Sequence, residues 1–172
     1  MHKRLSLLIL CLLSFASFAA EKAMNNAQLD SLIKQLNPKA EGRPGYWQFM
    51  LEGREIYVIT DEGADRIRVM TPITKADELG AEQLARLMQA NFDSALDARY
   101  AIARGALWST FIHPLATLQD AEFISAVAQT VTLAHSYGGS YSSGALTFGG
   151  GDSRQLLERK VYERILRKGQ SI

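Results

Sequence analysis

A single cysteine stands in the 172 residues, at position 11, inside an apolar N-terminal run. Once that run is removed, no cysteine remains. This excludes a disulfide framework, a thiol nucleophile and a thiolate metal site. Only His113 and His135 lie beyond the N-terminal run as imidazoles, too few and too far apart for metal-ligand spacing. Charge of one sign is lacking too: 19 Lys+Arg face 18 Asp+Glu, a net charge of +1. That balance excludes a polyanion binder acting by bulk charge, so no nucleic-acid partner is expected. Internal repeats of solenoid length are absent. Gly149-Gly150-Gly151 lacks the Gly-Lys-Ser/Thr ending of a phosphate loop, and Asp152 would repel an anion there. The serines at 136, 140, 142 and 143 form no G-x-S-x-G elbow. No catalytic residue, cofactor or metal site is expected.

What is present begins with an address. His2-Lys3-Arg4 precedes the run Leu5–Leu13, and Ser17-Phe18-Ala19 closes it. A cationic start, a short apolar stretch and small residues at the end make a secretory signal. The run is shorter than the roughly 20 residues a membrane-spanning helix needs. The expectation is a signal peptide over 1–19 and a periplasmic or secreted mature chain.

The whole sequence is 47% apolar, and the mature chain is of single-domain length. Leu29, Leu32, Ile33 and Leu36 recur at helical spacing, so Asn25–Leu36 reads as a helix that Asn37-Pro38 ends. Glu41–Gly45 reads as a loop. Tyr46–Leu51, Arg54–Thr60 and Asp65–Thr71 alternate as strands joined by short turns, with Pro72 stopping the third. A second helix follows at Ala81–Phe92, with Leu84, Leu87, Met88 and Asn91 on one face. Strands at Ala98–Ala103 and Ala106–His113 flank Arg104-Gly105. Thr117 caps a long helix, Leu118–Tyr137. The stretch 138–151 is a Gly/Ser-rich linker. A last amphipathic helix, 152–168, has six basic residues against three acidic ones.

The order helix, three antiparallel strands, helix, two strands, helix makes an α+β domain over 24–137. It resembles the type III secretion chaperone-like fold, which includes the Tir chaperone and YbjN-like families. The resemblance is carried by LARLMQANF (Leu84–Phe92), ARYAIARGALWSTF (Ala98–Phe111) and PLATLQDAEFISAVAQTV (Pro114–Val131). In the last piece, Leu118 and Phe123 match the family's L-x-x-x-x-F pattern on the closing helix. The resemblance implies a curved antiparallel sheet covered by helices that binds protein segments and often dimerises. Two departures stand out. The family's secretion chaperones are cytosolic and typically acidic, whereas this chain carries an export signal and is close to neutral. The resemblance therefore implies the fold more than the task of serving a type III effector.

The partner expected is a protein or peptide segment, or a second copy of the chain. The first strand is apolar on both faces, with Trp47, Phe49 and Leu51 against Tyr46 and Met50. Such a strand is covered on both sides or forms an interface. Trp47, Phe49 and Tyr57, with Trp108, are large aromatics in a small domain. Most of them are core, and some are left for a binding surface on a sheet covered on one face. Trp47, Phe49 and Tyr57 are therefore candidate protein-binding residues. Leu146 and Phe148 join them, since two residues apart in an extended segment they face the same way. The basic helix 152–168 could instead lie on an anionic membrane surface, or pack on the domain. An enzyme with an unrecognised site is the third reading. Asp61, Glu62 and Asp65 read as a solvated turn, since the twelve-residue calcium loop pattern is missing.

Overall fold

A computed structural model describes residues 23–93, 95–137 and 160–170. The signal peptide expected over 1–19, the linker expected over 138–151 with Leu146 and Phe148, and positions 152–159 of the expected last helix lie outside the described residues.

Helix α1 (Asn26–Leu36) begins where the Asn25 side chain accepts from the backbone N–H groups of Ala27 and Gln28, both at 3.0 Å. Those groups have no partner inside the helix, so the cap supplies one. Leu29, Leu32, Ile33 and Leu36 are buried as one stripe. Six strands follow: β1 (Glu41–Arg43), β2 (Tyr46–Leu51), β3 (Arg54–Asp61), β4 (Arg66–Lys75), β5 (Arg99–Ala103) and β6 (Ala106–His113). They form one antiparallel sheet in the order β1-β2-β3-β4-β6-β5. Helix α2 (Ala81–Asp93) connects β4 to the edge strand β5. Helix α3 (Asp120–Ser136) crosses β4 and β6, and α4 (Lys160–Gln170) lies on α3 and α1.

The tight turns follow from local chemistry. Glu52-Gly53 has φ values of 49° and 74°, and Arg104-Gly105 has 51° and 73°. Positive φ at both central residues gives a two-residue hairpin whose twist matches its strands.

Several expectations need correction. Glu41–Arg43 is a strand, not a loop. Gly42 lets it approach β2 closely: a Cβ there would lie 2.5 Å from Trp47 Cδ1 and 2.6 Å from the Tyr46 carbonyl oxygen. Pro72 does not stop β4, which runs on to Lys75. The pairing register with β6 shifts between Pro72 and Thr74, so the missing N–H falls at an irregularity where the ladder is already interrupted. The long helix starts at Asp120, not Leu118, and Gln119 caps it. The Gln119 N–H donates to Glu122 Oε2 at 2.9 Å, closing a reciprocal capping box. In α2 the buried residues are Leu87 and Ala90, while Met88 is 56% exposed. That helix lies at the sheet's β5 edge and needs only a narrow inward stripe.

The core lies between the helices and one face of the sheet. Trp47, Phe49, Leu51, Ile56, Val58, Ile67, Val69, Leu107 and Phe111 project into it. Trp47 Nε1 donates to Asp30 Oδ1 at 2.9 Å, which satisfies the buried indole and ties β2 to α1. Helix α4 turns its apolar stripe inward, with Tyr162 and Ile165 buried. The Gly169 backbone passes so near Ile124 that a Cβ would meet its Cγ2 at 2.6 Å. Arg164 and Lys168 on the flank of α4 reach Glu52 at 2.7 and 3.8 Å. The described part of the basic helix thus packs on the domain, and two of its cations are engaged there.

Candidate functional site

Period-two alternation sends every second strand residue to the side of the sheet away from the core. Among the described residues no helix covers that side. Cross-strand register arranges it in rows. Tyr46, Ile59, Arg68 and Ile112 stand opposite one another across β2, β3, β4 and β6. The next row is Gln48, Tyr57, Met70, Thr110 and Arg99. Met50 pairs with Glu55, and Pro72 faces Trp108 beside Ala101. Met50 is 55% exposed and Ile112 54%. Isolated exposed apolar residues are ordinary, but Tyr46, Met50, Ile59 and Ile112, gathered on one face of β2, β3 and β6 around Arg68, make a surface for something else to cover.

The aromatic residues are fixed in place. Tyr57 meets Trp108 edge-on, with ring centroids 6.0 Å apart, and Tyr46 at 6.3 Å. The Tyr46 hydroxyl donates to Gln48, whose amide donates to Glu55, and the Tyr57 hydroxyl donates to the other Glu55 oxygen at 2.7 Å. The bond to Glu55, helped by desolvation, pushes the Tyr57 pKa up to about 12. Trp108 Nε1 donates to the Ala103 carbonyl at 2.9 Å. Side chains held this way lose little entropy when a partner arrives.

The candidate residues divide across the sheet. Trp47 and Phe49 lie in the core, 1% and 4% exposed, where they hold the helices on the sheet and do not face outward. Tyr57 lies on the open face. Leu146 and Phe148 lie outside the described residues. Sequence reading placed Tyr46 and Met50 opposite Trp47, which is correct. It did not single out Ile59, Arg68, Met70 or Ile112, although alternation within each strand marks them as facing away from the core. Their alignment depends on the β4–β6 pairing, which joins strands distant in sequence.

The histidines and the acidic turn have structural partners. His113 Nδ1 lies 2.8 Å from the Pro114 carbonyl and the ring stacks on Phe111. His135 Nε2 lies 3.0 Å from the Glu52 carbonyl. A cleft of about 460 Å³ is lined by Asp97, Arg99, His113, Glu122, Ser125 and Gln129 among others. There Gln129 bonds Asp97, and Glu122 belongs to the capping box. Glu62 accepts from Asn26 N–H at 2.9 Å, and Asp65 from Ala116 N–H at 2.7 Å. These carboxylates fasten the β3–β4 turn to α1 and to the segment before α3. No cluster of metal-ligating side chains occurs among the described residues, and none of their helices is long and apolar enough to cross a membrane.

No model of a known protein family matches this chain, and no curated protein matches it. Solved structures do. A chain of the HopA1-SchA chaperone-effector complex is similar with a TM-score of 0.48 and 11% identity, covering 65% of this chain and 94% of that one. A chain of the ExsC-ExsE complex is similar with a TM-score of 0.49 and 12% identity, covering 64% and 92%.

Proposed function

We propose that this protein is a non-enzymatic, chaperone-like binding module of the cell envelope that takes a segment of another polypeptide on its open sheet face. The observation that carries the reading is the set of exposed apolar side chains Tyr46 and Met50 on β2, Ile59 on β3 and Ile112 on β6, on either side of Arg68 on β4 and flanked by an ordered aromatic cluster. Affinity would come from covering Met50, Ile59, Met70 and Ile112, roughly 25 cal/mol for each Å² of apolar surface removed from water. The leader 1–19 supports action after export. The buried apolar stripe of α4 favours this face over a membrane contact through the C-terminal helix.

Photo-crosslinking in living cells tests the reading. A benzophenone side chain placed at Ile112 is expected to give discrete protein adducts in the envelope fraction, while one at exposed Lys34 on α1 gives none. An adduct of twice the chain's mass identifies a second copy as the partner. Equal labelling from both positions, or none from position 112, would refute the proposal.

A further inference from the structure

We infer that the segment taken by the open face carries two acidic residues four apart, with an apolar residue midway between them. The inference rests on the protein-binding reading above and specifies its partner's chemistry.

Arg68 stands between Ile59 and Ile112 in its cross-strand row, and no ion pair among the described residues engages its guanidinium. Arg99, one row away, gives an N–H to the Ala98 carbonyl at 3.1 Å but meets no carboxylate among the described residues. Among the described residues the Arg66 guanidinium likewise bonds the Asp65 carbonyl, at 2.7 Å, and meets no carboxylate. The acids near these arginines are occupied: Asp61 accepts from the Ala64 N–H at 2.9 Å, Asp97 from Gln129 at 3.1 Å and Glu122 from the Gln119 N–H at 2.9 Å. Farther along the face Glu55 accepts from Gln48 and Tyr57, and Glu41 stands beside Gln48 on the edge strand β1. Arg66, Arg68 and Arg99 therefore lie on the β4–β6–β5 side of the face, where the neighbouring carboxylates are already engaged. A depression of about 320 Å³ beside Arg66 and Arg68 has Ile59 and Ile112 in its lining. The cleft at Arg99 also has Ile112 in its lining.

The spacing follows from sheet geometry. Arg68 and Arg99 are separated by two inter-strand steps and one two-residue step along the strands, roughly 12 Å. Four residues of extended chain span about 13 Å, and positions i, i+2 and i+4 share one face. Acids at i and i+4 reach the two guanidiniums while the residue at i+2 covers Ile112. A nucleic acid would offer phosphates to the same arginines, but the Tyr57 and Trp108 rings pack edge to face, at 72°, and do not form a row of open stacking platforms.

Panning a random dodecapeptide library on the full mature chain tests this. The expected pool is enriched in acid-x-apolar-x-acid. A synthetic peptide from it is expected to bind the R68Q/R99Q variant about five- to tenfold more weakly, with a loss that shrinks in high salt. Both arginines are exposed, so the variant keeps its melting temperature. An enriched pool without acids, or equal binding to the variant, would overturn the inference while leaving protein binding in place. No enrichment of any kind would overturn both readings. Oligothymidine binding as tight as the selected peptide, and equally weakened in the variant, would overturn it in favour of nucleic acid.

Discussion

Replacing Ile165 with alanine would separate the C-terminal helix from the domain without unfolding the domain. Ile165 is fully buried against the core, and of the eleven residues of α4 only it and Tyr162 are buried. The change removes three carbons, about 2.4 kcal/mol of transfer free energy at ~0.8 kcal/mol each. The cavity left behind raises the cost to about 2–5 kcal/mol. The better helix propensity of alanine returns only a few tenths of a kcal/mol. That loss is comparable to everything two buried side chains hold in place, so α4 should come off as a unit. Hydrogen exchange read by mass spectrometry decides the matter. In the I165A variant, amides of Lys160–Gln170 should lose protection while those of β3 and β4 keep theirs. Substituting exposed Lys160 should change neither. Unchanged protection in α4, or equal loss in α4 and the sheet, would refute the reasoning.

Other outcomes follow from single sites. Thr71 and Ser109 are paired across β4 and β6, both fully buried, and neither hydroxyl has a hydrogen-bond partner among the described residues. Thr71→Val should therefore stabilise the protein by about 1 kcal/mol in urea unfolding, and a loss of stability would show that the hydroxyl is needed. Gly42→Ala should cost about 1–3 kcal/mol and shift tryptophan emission, since the new Cβ meets the Tyr46 oxygen and Trp47 backbone as well as the indole. The Arg164 guanidinium holds Glu52 below the usual carboxylate range, with Lys168 and His135 adding to the effect, and Lys34 with the Trp47 indole does the same for Asp30. Groups whose folded pKa is depressed contribute stability above the unfolded value, near 4, and that contribution is lost as pH falls through the folded value. Urea midpoints should thus fall below about pH 4.5, and E52Q should flatten that acid limb; an unchanged limb would count against the ion pair.

Local chemistry made much of the fold legible. The apolar stripe of α1 and its end at Asn37-Pro38 show in its spacing, Glu52-Gly53 and Arg104-Gly105 make the hairpin turns, and the bounds of β2 and β6 follow from their alternation. The errors lie where a tertiary contact overrides a local signal. Pro72 is a strand breaker by propensity, yet β6 accommodates it through a register shift. Glu41–Arg43 has no apolar pattern, being exposed throughout, so only its pairing with β2 makes it a strand.

The candidate site shows the same division. Alternation alone put Tyr46 and Met50 on one side of β2 and Trp47 and Phe49 on the other, because side-chain direction in a strand has a period of two. It could not say which side the helices would take, since both were apolar. That was decided by α1 and α3, whose stripes settled on the side of Trp47 and left Tyr57, Ile59 and Ile112 outside. The strand order that sets Arg68 beside Ile112 is likewise a matter of long-range pairing: β6 inserts between β4 and β5 only because α2 carries the chain past the edge and lets it return.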